Sequence, residues 1–186
     1  MKRIIASLLA GLCLLALVGC SAGSKADSSA APKDYSQIIH DARTDEENEY
    51  DMIFTKGEDG KFTAIDGYSA EYEADQLNDE LKDIVFPLLG LEDGSYESFA
   101  ASVSSMMVRS YAVAIVKPAE GKTIMPSLVG SEMCIRDRQS MEHYLEDQYQ
   151  VAKAATVTVA PTGEVILVCA EDHDTILSNI EKALAA

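Results

Sequence analysis

Arg109 is the side chain whose surroundings ask for a chemical explanation. It is flanked by Met106, Met107, Val108 and Tyr111 in an apolar, β-rich stretch, where a guanidinium needs a carboxylate or a ligand. The plainer reading is a structural ion pair. The sharper one is a ligand cleft, with Tyr144, Gln148 and Tyr149 lining a shallow groove beside Arg109; against it, such tyrosines are ordinary core residues with wet hydroxyls. For a metal there are His40, His143 and His173, with Glu142, Asp172 and Asp174 nearby. No two of these histidines have ligand spacing, and Asp172-His173-Asp174 opens a predicted helix whose N-terminal dipole favours acids anyway. Serines are many, but none sits in a nucleophile elbow, no cysteine has an evident base, and the glycines form no phosphate-cradling loop. The sequence therefore assigns no catalytic residue, no metal and no cofactor.

Cys20 carries a different chemistry. Lys2 and Arg3 precede an apolar run from Ile4 to Val18, the pattern of a secretory signal, and the run is too short for the roughly 20 apolar residues of a membrane span. Leu17-Val18-Gly19-Cys20 resembles the bacterial lipobox, in which the cysteine thiol becomes a diacylglyceryl thioether and the chain is cut before it. Two acyl chains of the palmitate type suffice for stable anchoring, since each buried methylene contributes about 0.8 kcal/mol. The expectation is a signal over 1–19, a lipidated Cys20 with a flexible Ser/Ala/Gly tether over 20–34, and one domain over 35–186. That places the domain at the extracytoplasmic face of the cell membrane.

Loss of the signal leaves 167 of the 186 residues and takes the net charge from −16 to −18, because Lys2 and Arg3 go with it. Such a surface repels phosphate backbones, so nucleic acid is excluded as a partner. A basic partner or loosely held cations would suit it, although a solvated acidic surface also serves solubility. The acidic run Asp45-Glu46-Glu47-Asn48-Glu49 lacks the alternation and central glycine of a calcium loop and reads as a solvated connection.

The elements that must position these residues follow from periodicity. Ile38, Ile39 and Ala42 give one or two helical turns from Tyr35. Residues 50–55 and 61–65 form a hairpin around Asp59-Gly60. Leu77, Leu81, Ile84, Val85, Leu88 and Leu89 recur at helical spacing up to Gly90, with Pro87 distorting the last turn. Strands are expected at 99–107 and 111–117, the second apolar on both faces and so central. Met141 to Ala152 reads as a helix, 156–160 and 164–169 as a hairpin across Pro161-Thr162-Gly163, and Ile176 to Leu184 as a closing helix that Asp172 or Asp174 can cap. From Phe99 the order is β-β-α-β-β-α. The fold class is α+β, an antiparallel sheet with helices packed on one face, plus N-terminal helices and a hairpin.

One stretch fits neither the composition nor the periodicity around it. Ser127 to Arg138, SLVGSEMCIRDR, reads as a translated sequencing-library adaptor, so Cys134, Arg136 and Arg138 receive no role. The natural chain is expected to continue there as the first half of the helix that ends near Ala155.

Val103-Ser104-Ser105-Met106-Met107-Val108-Arg109-Ser110-Tyr111, then Val116-Lys117-Pro118-Ala119-Glu120-Gly121-Lys122, then Tyr144-Leu145-Glu146-Asp147-Gln148-Tyr149 together resemble a lipoprotein family of Gram-positive bacteria, built on the domain of unknown function DUF4358. The resemblance runs over roughly 35–184 and is loose from 51 to 74. It implies a long helix after the Pro-Ala-Glu-Gly-Lys turn, where this chain has the adaptor-like text. It implies no activity, substrate, cofactor or catalytic residue. The expected function is thus a non-enzymatic, membrane-anchored module of the cell envelope that binds a protein or small ligand. The alternative is an envelope enzyme using a carboxylate and Arg109.

Overall fold

The strand Ala112–Pro118 (β4) lies inside the sheet because each residue from Ala112 to Val116 is apolar, and all five are fully shielded. Successive side chains of a strand point to opposite faces, so a run of this kind needs a core on both sides. The computed structural model describes residues 33–56, 60–104, 106, 108–124 and 145–186. On one edge of β4 runs β3 (Tyr96–Val103), in register Val103 to Ala112. On the other runs β6 (Val165–Cys169), in register Ala112 to Cys169. With β1 (Ile53–Lys56), β2 (Phe62–Ile65) and β5 (Thr156–Val159) they form a six-stranded antiparallel sheet in the order β2-β1-β3-β4-β6-β5.

The α+β class and the antiparallel sheet hold, but the helices cover both faces rather than one. On the first face, Tyr35, Ile39 and Ala42 of α1 (Tyr35–Ala42) and Ile176, Ile180 and Leu184 of the C-terminal helix pack over Ile53, Val113, Ile115, Ile166 and Val168. On the second, Leu77, Leu81, Val85, Leu88 and Leu89 pack over Phe54, Phe99, Ala114, Val116 and Leu167, with Phe86 and Tyr96 ringed around Phe99. Full burial of a Leu or Ile side chain contributes about 1.5–3 kcal/mol. The doubly apolar β4 could not be satisfied by one layer of helix.

Several local outcomes have identifiable causes. The acidic run is a helix, α2 (Asp45–Tyr50), and not a connection: Thr44 Oγ1 accepts the Glu47 N–H while Glu47 accepts the Thr44 N–H, a complete capping box with three acids in the first turn. The helix α3 (Ala74–Glu80) widens into a π turn over Leu81–Val85 before α4 (Phe86–Leu89), because Pro87 has no N–H to give the carbonyl four residues earlier. Gly90, at φ 63, then lets the Leu91 N–H reach the Phe86 carbonyl and ends the helix. The strand expected at 99–107 runs instead from Tyr96 to Val103. Its successor starts at Ala112, so Arg109 sits on the connecting loop. The helix expected from Met141 appears as α5 (Glu146–Ala154), its first residues lying outside the described ones. The closing helix is α6 (His173–Ala185). Asp172 precedes α6 as its cap residue through its backbone alone, the carbonyl accepting from Thr175 and Ile176. Cys20, Cys134 and the adaptor-like stretch also lie outside the described residues. No described helix is long and apolar enough to cross a membrane.

Candidate functional site: an arginine-floored cleft

The end of the sheet where β4 begins and β6 finishes is organised by Arg43, which the sequence reading did not single out. Arg43 follows α1, and its side chain is fully shielded from solvent. A guanidinium has five N–H donors, and all five find acceptors here. Nε donates to Asn48 Oδ1 at 2.9 Å, one terminal nitrogen to Ser102 Oγ at 2.8 Å and Tyr111 Oη at 3.1 Å, the other to the Asp51 carbonyl and Asp66 Oδ2, each at 3.1 Å. The partners come from α2, β3, the start of β4 and the turn after β2, so this one side chain ties four segments together. Asp66 adopts φ 62 to reach it. The next residue, Gly67, must lack a side chain because a Cβ would stand 2.9 Å from the Met52 nitrogen. Asp66 Oδ2 also lies 2.8 Å from His40 Nδ1.

On this platform stands Arg109. The loop carrying it is closed by the Ser104 N–H to the Tyr111 carbonyl and by the Arg109 N–H to the Met106 carbonyl. One terminal nitrogen of Arg109 donates to both carboxylate oxygens of Asp51, at 2.8 and 2.6 Å, and the guanidinium carbon lies 4.4 Å from the centroid of the Tyr111 ring. Asp51 is nearly buried, while Arg109 is 30% exposed, so the pair has one side in protein and one in solvent. The remaining edge of the guanidinium, Nε and the other terminal nitrogen, has no partner among the described residues.

Arg109 also lines a cleft of about 460 Å³, within the range of small-molecule sites. Arg109, Ser110, Tyr111 and Gln148 line it together with Thr44, Tyr50, Met106 and five carboxylates, those of Glu46, Glu47, Asp51, Glu171 and Asp172. Gln148 bridges the walls: its Oε1 accepts the Ser110 N–H at 2.9 Å, and its Nε2 faces Glu171 Oε1 at 3.4 Å. The Ser110 hydroxyl is buried with no hydrogen-bond partner among the described residues, a condition that costs about 1–3 kcal/mol. Burial pushes the Tyr111 phenol up to about 12, against the pull of the Arg43 charge. At the rim the exposed Tyr50 phenol is also raised, chiefly by the charge of Glu49.

Of the residues the sequence put forward, the structure brings Arg109 and Gln148 together. Tyr149 lies elsewhere, its ring 5.2 Å from Lys153 Nζ and outside the cleft lining, so the groove expected beside Arg109 does not include it. Tyr144 and His143 are outside the described residues. His173 Nε2 is 3.4 Å from its neighbour Asp174, and no group of three potential metal ligands occurs among the described residues. Cys169 is buried at the end of β6. Arg43 was missed because nothing local marks it. Asp51 and Glu171 were missed because they read as surface charge.

The model of the domain of unknown function DUF4358 matches residues 69–170, more than half of the chain. The chain belongs to the DUF4358 family. The match is shorter than the span over which the resemblance was traced. Within the DUF4358 span lie Arg109, Ser110, Tyr111 and Gln148; Arg43, Asp51, Asp66, Glu171 and Asp172 fall outside it. No curated protein and no solved structure matches the chain.

Proposed function

We propose that this DUF4358 chain is a lipid-anchored, extracytoplasmic module that binds its ligand in the Arg109 cleft without transforming it. The observation that carries the reading is Arg109 itself: a guanidinium fixed by Asp51 and by the Tyr111 ring, with one edge still without a partner among the described residues, in the lining of a cleft of ligand size. A side chain held in one geometry before the ligand arrives loses little freedom on binding, which is the property of a recognition residue.

Anchoring rests on the Leu17-Val18-Gly19-Cys20 motif, and the acidic surface speaks for a soluble or protein-borne ligand over an anionic headgroup. Chemical crosslinking from intact cells tests the binding role: the unaltered chain captures a specific partner or ligand and Arg109→Ala loses it, whereas equal capture by both removes the cleft from the account. Cys20→Ala moves the protein from the membrane fraction to the soluble one, and unchanged retention refutes the anchor. The enzyme alternative predicts turnover in a panel of envelope substrates that Arg109→Ala abolishes.

A further inference from the structure

We infer that the cleft receives a small zwitterion, an α-amino acid or a dipeptide with both ends free, its carboxylate on Arg109 and its ammonium on the acidic wall. The inference rests on the reading of the cleft as a ligand site and names the chemistry it selects. Asp51 occupies one terminal nitrogen of Arg109 and leaves the Nε edge, the planar fork that matches a carboxylate with two parallel hydrogen bonds.

The opposite charge is close by. Gln148 spans from the Ser110 N–H to Glu171, so an acidic side chain stands one amide away from the arginine loop. Asp172 follows it, and its carboxylate is not spent on capping α6. A simple anion would meet a lining with five acidic residues and one arginine and be repelled. A simple cation would leave the arginine edge unused. A molecule carrying both charges uses the arginine and the acids together, and exposed Met106 gives its side chain an apolar surface.

The test is calorimetric titration of the full chain with a panel of α-amino acids and dipeptides, followed at the same time through the labelled methyl group of Met106. For the tightest binder, N-acetylation and C-terminal amidation each weaken binding by about tenfold or more, and the Met106 signal shifts only with the free zwitterion. Glu171→Gln weakens the free compound but leaves the N-acetylated one unchanged, and Arg109→Lys weakens the free compound but leaves the C-terminal amide unchanged. A blocked form that binds as tightly as its parent overturns the inference, as does a panel with no binder. The blocked-ligand comparison uses the unaltered chain, so it decides even if a variant fails to fold. If cadaverine or citrate shifts Met106 and no zwitterion does, the ligand class falls while the cleft remains a binding site. If Met106 is silent throughout and crosslinking captures nothing, both readings fall.

Discussion

Arg109 lies over the face of Tyr111 with its guanidinium carbon 4.4 Å from the ring centroid. The hydroxyl of the same ring accepts from Arg43 at 3.1 Å, so Tyr111 is gripped by one arginine on its face and another at its tip. Asp51 is shared in the same way, its carbonyl on Arg43 and its carboxylate on Arg109. The two arginines are nonetheless unequal, because one is sealed and the other borders solvent.

That inequality sets the expected stabilities. Arg43→Met strands the Asp51 carbonyl, leaves the Asp66 carboxylate to His40 alone, and lowers unfolding stability by about 3–5 kcal/mol. Arg109→Gln, at a partly exposed pair, lowers it by about 1 kcal/mol. Urea denaturation of both variants checks the ordering, and equal losses would mean that Arg43 is not the organising side chain.

Tyr111 gives the chain an alkaline limit. Its phenol titrates near 10.0 when unfolded and is raised to about 12 in the fold, so the folded state holds a proton that the unfolded state releases. The contribution is intact below pH 10 and is lost as pH rises through about 12, at up to about 1.4 kcal/mol per pH unit in that window. Unfolding free energies at pH 9, 10 and 11 measure the slope, and Tyr111→Phe flattens it.

The cap of α2 is a further point of control. Thr44→Ala removes one half of the capping box and costs about 1 kcal/mol, felt mainly in α2. Amide exchange at Glu47 and Asn48 accelerates while exchange at Ile115 in β4 stays slow. Uniform acceleration would show that α2 opens only with the whole domain.

The adaptor-like stretch makes a prediction about the gene. Amplification from source DNA with primers independent of any adaptor yields, between the codons for Lys122 and Ser140, residues of helical periodicity leading into α5. Recovery of the same SLVGSEMCIRDR text shows it to be genuine and leaves Cys134 as a thiol to be explained.

The first half of the cleft was legible in the chain. Arg109 was conspicuous because a charge among Met, Val and Tyr has few uses, and Gln148 followed from the helix expected beside it. Thr44-Asp45-Glu46-Glu47 carried a capping-box signal as well, which the density of acids disguised as a connection. Arg43 gave no such sign: it lies between His40-Asp41-Ala42 and an acidic run, and its partners Ser102 and Tyr111 are 59 and 68 residues away.

By itself the sequence determined what depends on near neighbours: the two hairpins, the central β4, the turn of helix that Pro87 disturbs, the closing α6 and the α+β class. Periodicities of two and of 3.6, caps and turn residues act over a few residues and can be read there. The tertiary structure alone decided that helices cover both faces, that Arg43 is sealed by five acceptors, and that Asp51 meets Arg109 across a gap of 58 residues. Those outcomes depend on the register of six strands, which brings distant segments to one end of the sheet, and no local pattern encodes that meeting.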